Sequence, residues 1–432
     1  MMSGLRHWLH RRRRPARYAH LASLLTNQAL SPEALRLKQR ADLNAIVRFA
    51  AAHTAYYRER FAGLPATGDI DLAALPILRK EDVVAHMAEM LAAGHDPRTT
   101  PIGHTGGSTG KPLAFYYDEH KHELMRAGMM RSYMMAGWRP GQKILNFWGA
   151  RQDTVAGGVF GGATVEDFVA AEKTVAAHHI SADKLQAWTA FIRRYRPVLL
   201  QGYASILAAL ARHVLDARIV MPHSLIGVFS TAEVLNGWQR ELMEEAFGCK
   251  VFNQYGSREI PNIACECRHG RMHVFSDMVY LESQGGENEG RLLVTSLTNR
   301  LMPMIRYENG DMGELLETHC DCGSPFPLMA MGMCRSNDHI VVPDGRRIHP
   351  AYFNGLLYGL TQIAQYQFVQ PAPGRLVLNL VCAVPLDDAT VRRLHENICR
   401  DVASGLVFEI KYVPEIERSV SGKHRFVISH CA

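Results

Sequence analysis

Four short apolar runs, each separated from the next by a helical pattern, limit the folds open to this chain. The runs lie at residues 144–148, 198–201, 225–230 and 251–254. Helical patterns occur around residues 120–135, 183–194, 205–214 and 238–247. Continuous apolar runs of this length are typical of strands buried on both faces. Their alternation with helices predicts an α/β fold with mainly parallel sheets covered by helices.

The rhythm of the sequence changes after about residue 334. We expect strands at 339–343, 364–370, 375–383 and 406–412, and helices at 349–360 and 388–402. This order predicts a small C-terminal α+β domain of ferredoxin-like type. A chain of 432 residues is long enough for several units. We divide it into a basic N-terminal tail (1–35), a large domain (36–334) and a small mobile lid (335–432).

The net charge of +6 comes from the N-terminal segment. Six arginines precede the first acidic residue, Glu33, and the rest of the chain is balanced, so we expect no nucleic-acid partner. We expect a solvated, partly helical tail, with contact to an anionic membrane or a partner as the alternative. No apolar run is long enough for a membrane span. Nine cysteines without an export signal favour a cytoplasmic location.

Residues 104–112, His-Thr-Gly-Gly-Ser-Thr-Gly-Lys-Pro, have the composition of a phosphate-binding loop. Glycines let backbone N–H groups approach an anion, hydroxyl groups donate hydrogen bonds, and lysine adds positive charge. The spacing differs from the Walker pattern, because Pro112 stands where that pattern needs Ser or Thr. Taken alone, the loop is also consistent with a Gly/Ser-rich turn between a strand and a helix.

Further segments follow the loop in an order that resembles the adenylate-forming ligase superfamily. They are Ser-Thr-Ala-Glu at 230–233, Tyr-Gly-Ser-Arg-Glu at 255–259, Tyr-Glu-Asn-Gly-Asp at 307–311, Cys-Arg-Ser-Asn-Asp at 334–338 and Ser-Gly-Lys at 421–423. The resemblance implies an enzyme that converts a carboxylic acid and ATP to acyl-AMP and pyrophosphate with Mg²⁺. Two hinge positions depart from the family pattern, since Cys334 replaces a glycine and Asn337 stands where an aspartate is commonest.

The same resemblance implies roles for individual residues. Tyr255 would lie against the adenine, Asp311 would bind the ribose hydroxyls, and Glu259 would face Mg²⁺. Arg335 would contact phosphate or ribose, and Lys423 would stabilise the reacting phosphorus. The expected nucleotide-binding residues are Thr105, Gly106, Gly107, Ser108, Thr109, Gly110, Lys111, Ser230, Thr231, Ala232, Glu233, Tyr255, Gly256, Ser257 and Asp311. Outside this context, an aspartate after a turn is usually a cap and a C-terminal lysine a solvated charge.

Six cysteine and histidine residues form a candidate zinc cluster: Cys265, Cys267, His269, His273, Cys320 and Cys322. Thiolates and imidazoles suit tetrahedral Zn²⁺, although ordinary reduced thiols remain the alternative. The chain most closely resembles the phenylacetate:CoA ligase and capsular-polysaccharide ligase branch, from about Gln39 to its end. That resemblance implies Cys267, His273, Cys320 and Cys322 as ligands, with Cys265 and His269 in reserve. Four protein ligands would make the metal structural.

The second half-reaction is left open by the motifs. We expect acyl transfer to CoA, with an amine or a carrier protein as the alternative acceptor. Phe147, Trp148 and Tyr203 are candidate walls for an aryl or small organic acid, although each is equally consistent with a core position. A zinc-stabilised nucleic-acid-binding protein is the alternative from another class. A homodimer is one possible assembly.

Overall fold

The structure is a computed structural model that describes residues 2–105, 113–148, 165–177, 180–285, 290–335, 340–343, 347–348, 352–353, 356–357, 360, 362–403, 405–417 and 424–431. The helices of this part are α1 (Met2–Arg13), α2 (Pro15–Gln28), α3 (Pro32–His53), α4 (Ala55–Arg60), α5 (Lys80–His86), α6 (Glu119–Met135), α7 (Val165–Ala170), α8 (Ala182–Tyr195), α9 (Ala204–Asp216), α10 (Gly237–Phe247) and α11 (Asp388–Asn397). None of them is both long enough and apolar enough to cross a membrane.

The strands of the larger part are β1 (Ile102–His104), β2 (Ala114–Tyr116), β3 (Ile144–Trp148), β4 (Glu172–Ala176), β5 (Leu199–Tyr203), β6 (Gly227–Thr231), β7 (Val251–Tyr255), β8 (Ala264–Glu266), β9 (Met272–Val274), β10 (Val279–Gln284), β11 (Gly290–Ser296), β12 (Tyr307–Leu316) and β13 (Leu328–Arg335). The strands of the smaller part are β14 (Ile340–Val341), β15 (Arg347–Ile348), β16 (Ile363–Ala372), β17 (Arg375–Cys382), β18 (Val407–Tyr412) and β19 (Val427–Ser429).

One large sheet dominates the fold, with the order β10-β11-β12-β13-β9-β8-β7-β6-β5-β3-β4. The part from β7 to β4 is parallel and contains the four predicted apolar runs. The α/β fold class is therefore confirmed. The sheet is mixed rather than mainly parallel, because β8 to β13 extend it through antiparallel pairs. No intervening helices mark those strands in the sequence.

The parallel strands are apolar throughout because both of their faces are buried. Side chains alternate along a strand, so Phe229 packs on one face with Tyr133 of α6. Its neighbour Val228 packs on the other face, in a second apolar cluster that includes Trp188 of α8 and Leu207 of α9. Helices on both sides therefore hold the strand ends in fixed positions.

The N-terminal segment is packed on the large domain, which corrects our expectation of a solvated tail. Arg17 is only 4% exposed, and its guanidinium donates to both carboxylate oxygens of Glu123 on α6 at 2.9 Å. Arg14 donates to Glu166 on α7 at 2.9 Å. These acidic partners lie more than a hundred residues away in the sequence. Local charge counting therefore could not reveal them.

The small domain has a four-stranded sheet in the order β18-β17-β16-β19. β16 and β17 form an antiparallel hairpin, while β18 and β19 pair with its two sides in parallel. The sequence predicts the three longer strands, but not β19. The predicted helix at 388–402 is observed as α11 followed by a π-helix at Ile398–Val402. Most of the helix expected at 349–360 falls outside the described residues.

Candidate active site

A cavity of about 660 Å³ opens at the carboxyl ends of the parallel strands. Its walls include Trp148, Tyr203, Thr231 and Tyr255, which are the last residues of β3, β5, β6 and β7. Ligands of open α/β sheets bind at this edge, because the loops that follow the strands converge there. The small domain contributes residues 424–427. The cavity therefore lies where both parts of the chain meet.

Tyr255, Asn309 and Asp311 form a connected polar cluster in this cavity. The Tyr255 hydroxyl donates to Asp311 Oδ2 at 3.1 Å and accepts from Asn309 Nδ2 at 2.7 Å. Asn309 Nδ2 also donates to Asp311 Oδ2 at 3.1 Å. These bonds fix the aromatic ring on β7 relative to the carboxylate on β12. A ring beside a carboxylate can bind a base and the adjoining sugar hydroxyls.

A tight turn after β7 positions Glu259. The Ser257 N–H donates to the carbonyl oxygen of Ile260 at 2.9 Å, and the Ser257 hydroxyl accepts from the Ile260 N–H at 3.0 Å. Gly256 is required here, since a Cβ atom would lie 2.8 Å from the nitrogen of Asn262. Glu259 lines the cavity and is 6% exposed.

Glu259 has the properties of a cation ligand. Its Oε2 atom is buried and has no hydrogen-bond partner among the described residues. A buried carboxylate oxygen without a donor is unfavourable, and a bound Mg²⁺ would satisfy it. The Lys121 ammonium donates to the main-chain oxygen of Glu259 at 2.8 Å. Burial lowers the pKa of Lys121 to about 8, against the opposing effect of the Glu259 charge.

The segment 230–233 lies between the two parts of the chain. Ser230 is buried, and Ala232 has a φ of 68°, a left-handed conformation that is rare outside glycine and often found at functional sites. The Glu233 carboxylate accepts from the Ser205 N–H at 2.8 Å and from the His424 N–H at 2.6 Å. Glu233 therefore joins the start of α9 to the C-terminal segment.

Thr105 closes the base of the glycine-rich loop. Its N–H donates to the carbonyl oxygen of Leu113 at 2.8 Å, and its hydroxyl accepts from the Leu113 N–H at 2.8 Å. The loop thus connects the antiparallel strands β1 and β2, not a strand and a helix. Gly106, Gly107, Ser108, Thr109, Gly110 and Lys111 lie outside the described residues.

Two of the three expected acid-binding side chains line the cavity. Trp148 and Tyr203 are in edge-to-face contact, with ring centroids 5.2 Å apart. Phe147 does not line it, which corrects our expectation. Its side chain is fully buried and packs edge-to-face against Trp188 in the core. Neighbours along a strand point to opposite faces, so Phe147 and Trp148 cannot both reach the cavity.

A second polar site lies in the antiparallel half of the sheet. The ligand atoms of Cys267, His273, Cys320 and Cys322 all lie within 4.8 Å of one another. Cys267 Sγ is 3.6 Å from Cys320 Sγ, and Cys322 Sγ is 3.3 Å from His273 Nε2. His273 Nδ1 lies 3.0 Å from the carbonyl oxygen of Phe326, which orients the ring with Nε2 towards the thiols. Thiolates and one imidazole at these distances fit a tetrahedral Zn²⁺ ion.

Comparison with known proteins shows which proteins the chain resembles. Residues 340–430 match the model of the CapK C-terminal domain. The phenylacetate-coenzyme A ligase of Thermus thermophilus is 26% identical, over 93% of this chain and 98% of its own. Protein CapK of Staphylococcus aureus is 24% identical, over 82% of this chain and 80% of its own. A crystal structure of 2-hydroxyisobutyryl-CoA ligase in the postadenylation state superposes with a TM-score of 0.70 at 18% identity, covering 93% of this chain and 90% of that chain. The chain is similar to adenylate-forming ligases over almost its whole length.

These likenesses support the branch that contains phenylacetate-CoA ligase and CapK. Two residues with expected catalytic roles have side chains outside the described part of the chain. Lys423 lies outside the described residues, although the next residue, His424, lines the cavity. Arg335 is described only by its backbone, which ends β13 and is opposite Asp311 of β12.

Asn309 and Lys121 lie in the cavity region and are not predicted from the sequence. Asn309 holds both Tyr255 and Asp311, yet it occupies an unassigned position of the Tyr-x-x-Gly-Asp motif. Lys121 reaches Glu259 from α6, and its own surroundings in the sequence give no functional signal. The sequence signal for Asn309 is weak: it is a polar residue within a motif whose expected role is assigned to Asp311.

Proposed function

We propose that this protein is an AMP-forming acid:CoA ligase. It activates a carboxylic acid with ATP, releases pyrophosphate, and transfers the acyl group from AMP to CoA. The observation that carries the proposal is the single cavity wall on which Tyr255, Asp311 and Glu259 come together. The names of the phenylacetate-coenzyme A ligase and 2-hydroxyisobutyryl-CoA ligase relatives support the same two half-reactions.

Each part of this wall fits one part of ATP. The Tyr255 ring offers an apolar face to the adenine, and residues 231–233 flank it. The Asp311 carboxylate accepts hydrogen bonds from the ribose hydroxyls while Asn309 and Tyr255 hold it in place. Glu259 would hold Mg²⁺, which neutralises charge on the triphosphate. The loop at 106–111 and Lys423 would provide the remaining donors to phosphate.

The acid would lie beside the α-phosphate against an apolar wall. Trp148 and Tyr203 provide two aromatic faces, and Met125 and Met129 of α6 line the same cavity. Flat aromatic and flexible thioether surfaces favour an aryl or small organic acid. Holding the acid and ATP together converts a reaction between two anions into an intramolecular step.

The Cys/His cluster would hold a structural Zn²⁺ ion. Cys267, His273, Cys320 and Cys322 would fill all four tetrahedral positions, so no position remains for a substrate. The ion would connect the β8–β9 hairpin to the loop between β12 and β13. Since Asp311 is on β12, the metal would also steady the strand that carries the ribose ligand.

The function can be tested with a panel of aryl and small organic acids, scored for acid-dependent ATP–pyrophosphate exchange. AMP formation is then measured with CoA, and separately with an amine in its place. We expect exchange without CoA and acyl-CoA formation with it. A purified protein that neither binds ATP nor forms AMP with any acid would disprove the proposal. Product formation only with the amine would show that an amine, and not CoA, is the acceptor.

The variant Asp311→Asn tests the proposed role of Asp311 in ribose binding. A hydrogen bond to a charged group contributes about 1.5–3 kcal/mol, so we expect the KM for ATP to rise about tenfold to a hundredfold. The control is Asp388→Asn, an exposed carboxylate on α11. An unchanged KM for ATP in Asp311→Asn would show that Asp311 does not bind the ribose.

A further inference from the structure

Helix α1 is anchored to the body of the protein along one side. His10 is buried there, and its Nδ1 atom lies 3.0 Å from the Tyr18 hydroxyl. Gly141 lies so close to the helix backbone that a Cβ atom would be 2.1 Å from the carbonyl oxygen of Ser3. The Arg14–Glu166 ion pair holds the end of the helix to α7. These contacts therefore fix which side of α1 faces away from the protein.

That outer side is apolar, which is the reverse of the usual surface helix. Met2, Leu5 and Trp8 are 61%, 58% and 50% exposed. Phe168 of α7, which packs beside α1, is also 57% exposed, and the Arg6 guanidinium of α1 lies 4.8 Å from its ring centroid. We call Met2, Leu5, Trp8 and Phe168 the α1 patch. Four large apolar side chains grouped in this way usually mark a binding surface.

The α1 patch is bordered by exposed positive charge. Arg11, Arg12 and Arg13 follow Trp8 and are exposed, with the Arg12 guanidinium 4.2 Å from the Trp8 ring. Arg14 and Arg17 are instead paired with Glu166 and Glu123. The folded protein thus directs three arginines outward beside the patch. No acidic residue occurs in the sequence before Glu33.

We propose that the α1 patch docks this enzyme onto an anionic lipid bilayer. A helix that combines exposed Trp and Leu with arginines lies in the membrane interface, where the rings enter the headgroup region and the guanidinium groups contact lipid phosphates. Anionic lipid complements both halves of this surface. The cavity at the ends of β3 and β5 is a separate site, so docking does not depend on the proposed reaction.

Two other occupants fit the surface less well. A nucleic acid would satisfy the arginines, but it would not account for the exposed Met2, Leu5 and Trp8. A second copy of the chain would cover the apolar side chains. However, a two-fold contact between two α1 helices would bring six exposed arginines together.

The test is sedimentation of the whole protein with vesicles of phosphatidylcholine, with and without phosphatidylglycerol, over a range of salt. We expect binding to the anionic vesicles only, weakening as salt rises. A basic residue near an anionic surface contributes about fivefold to the partition coefficient, so R11Q/R12Q/R13Q should lose about a hundredfold. L5S/W8S should lose at least about tenfold, because the apolar insertion is removed.

Control variants carry the same kinds of substitution away from the patch. R392Q/R393Q on α11 and Leu37→Ser on α3 alter exposed residues and should bind vesicles like the parent. All variants should keep their melting temperature and their ATP–pyrophosphate exchange. The proposal is overturned if the parent does not bind anionic vesicles at low salt, or if both α1 variants bind them as tightly as the parent. It is also overturned if L5S/W8S changes the mass in solution, or if a homopolymer RNA binds more tightly than lipid.

Discussion

The charge of Lys121 is affected by its surroundings at the candidate site. Its ammonium group is held between the main-chain oxygen of Glu259, at 2.8 Å, and the ring of Phe115, with 4.5 Å to the centroid. Burial lowers its pKa to about 8 from the ordinary value of 10.5. The charge therefore supports the turn that carries Glu259, although burying that charge is itself unfavourable.

Lys121→Met should change how stability depends on pH. Between about pH 8 and 10.5 the unfolded chain binds a proton at Lys121 that the folded protein does not. The parent's stability relative to Lys121→Met should therefore rise with pH in this range, by at most about 1.4 kcal/mol per pH unit. Urea unfolding of both proteins at several pH values measures the difference. The expectation is contradicted if the difference in free energy of unfolding between the parent and Lys121→Met does not change with pH. It is also contradicted if the exposed control, Lys411→Met, gives the same rise with pH.

Individual site residues were predictable where a motif gives them a position. Tyr255, Glu259 and Asp311 each line the cavity, and the motifs that contain them name them. Asn309 was not predictable, because its bond to Tyr255 joins residues 54 positions apart. The Phe147 error was avoidable. Strand alternation allows only one of two neighbours to face the cavity, and Trp148 is that one.

At the scale of elements, strands with burial on both faces were easier to predict than the antiparallel strands. β3, β5, β6 and β7 are continuous apolar runs, so their types and approximate bounds follow from the sequence. β8 and β9 have three residues each and owe their conformation to pairing with each other and with β7 and β13. Nonlocal pairing of this kind leaves a weak local signal.

The Cys/His cluster joins those short strands to the rest of the sheet. His273 on β9 is opposite both Cys265 and Leu328, while Cys320 and Cys322 lie in the loop that precedes β13.

Cys322→Ser should abolish stoichiometric zinc and lower the free energy of unfolding by about 3 kcal/mol or more, since metal binding is coupled to folding. Elemental analysis and urea unfolding measure the two effects. Cys399→Ser, on the exposed surface, is the control. Zinc that stays at one per chain in Cys322→Ser would contradict the assignment.

At the scale of the whole molecule, the two parts of the chain meet at Glu233. β19 pairs in parallel with β16, and the residues just before it return to the large domain. There the His424 N–H donates to Glu233 at 2.6 Å, while the same carboxylate accepts from Ser205 at the start of α9. Lys423 is the neighbour of His424 in the sequence. Glu233 therefore has the placement of a positioning residue that holds the small domain against the proposed nucleotide site.

Glu233→Ala should slow the first half-reaction more than the second. Removing a hydrogen bond to a charged acceptor costs about 1.5–3 kcal/mol, so we expect ATP–pyrophosphate exchange to fall about tenfold to a hundredfold. Transfer from a synthetic acyl-AMP to CoA should stay close to that of the parent, because the role expected for Lys423 belongs to the first half-reaction. Glu233→Gln keeps an acceptor oxygen and should lose less, and Glu241→Ala on the exposed side of α10 is the control. Equal losses in both half-reactions, or a lowered melting temperature, would show that Glu233 supports the fold and does not position the lid.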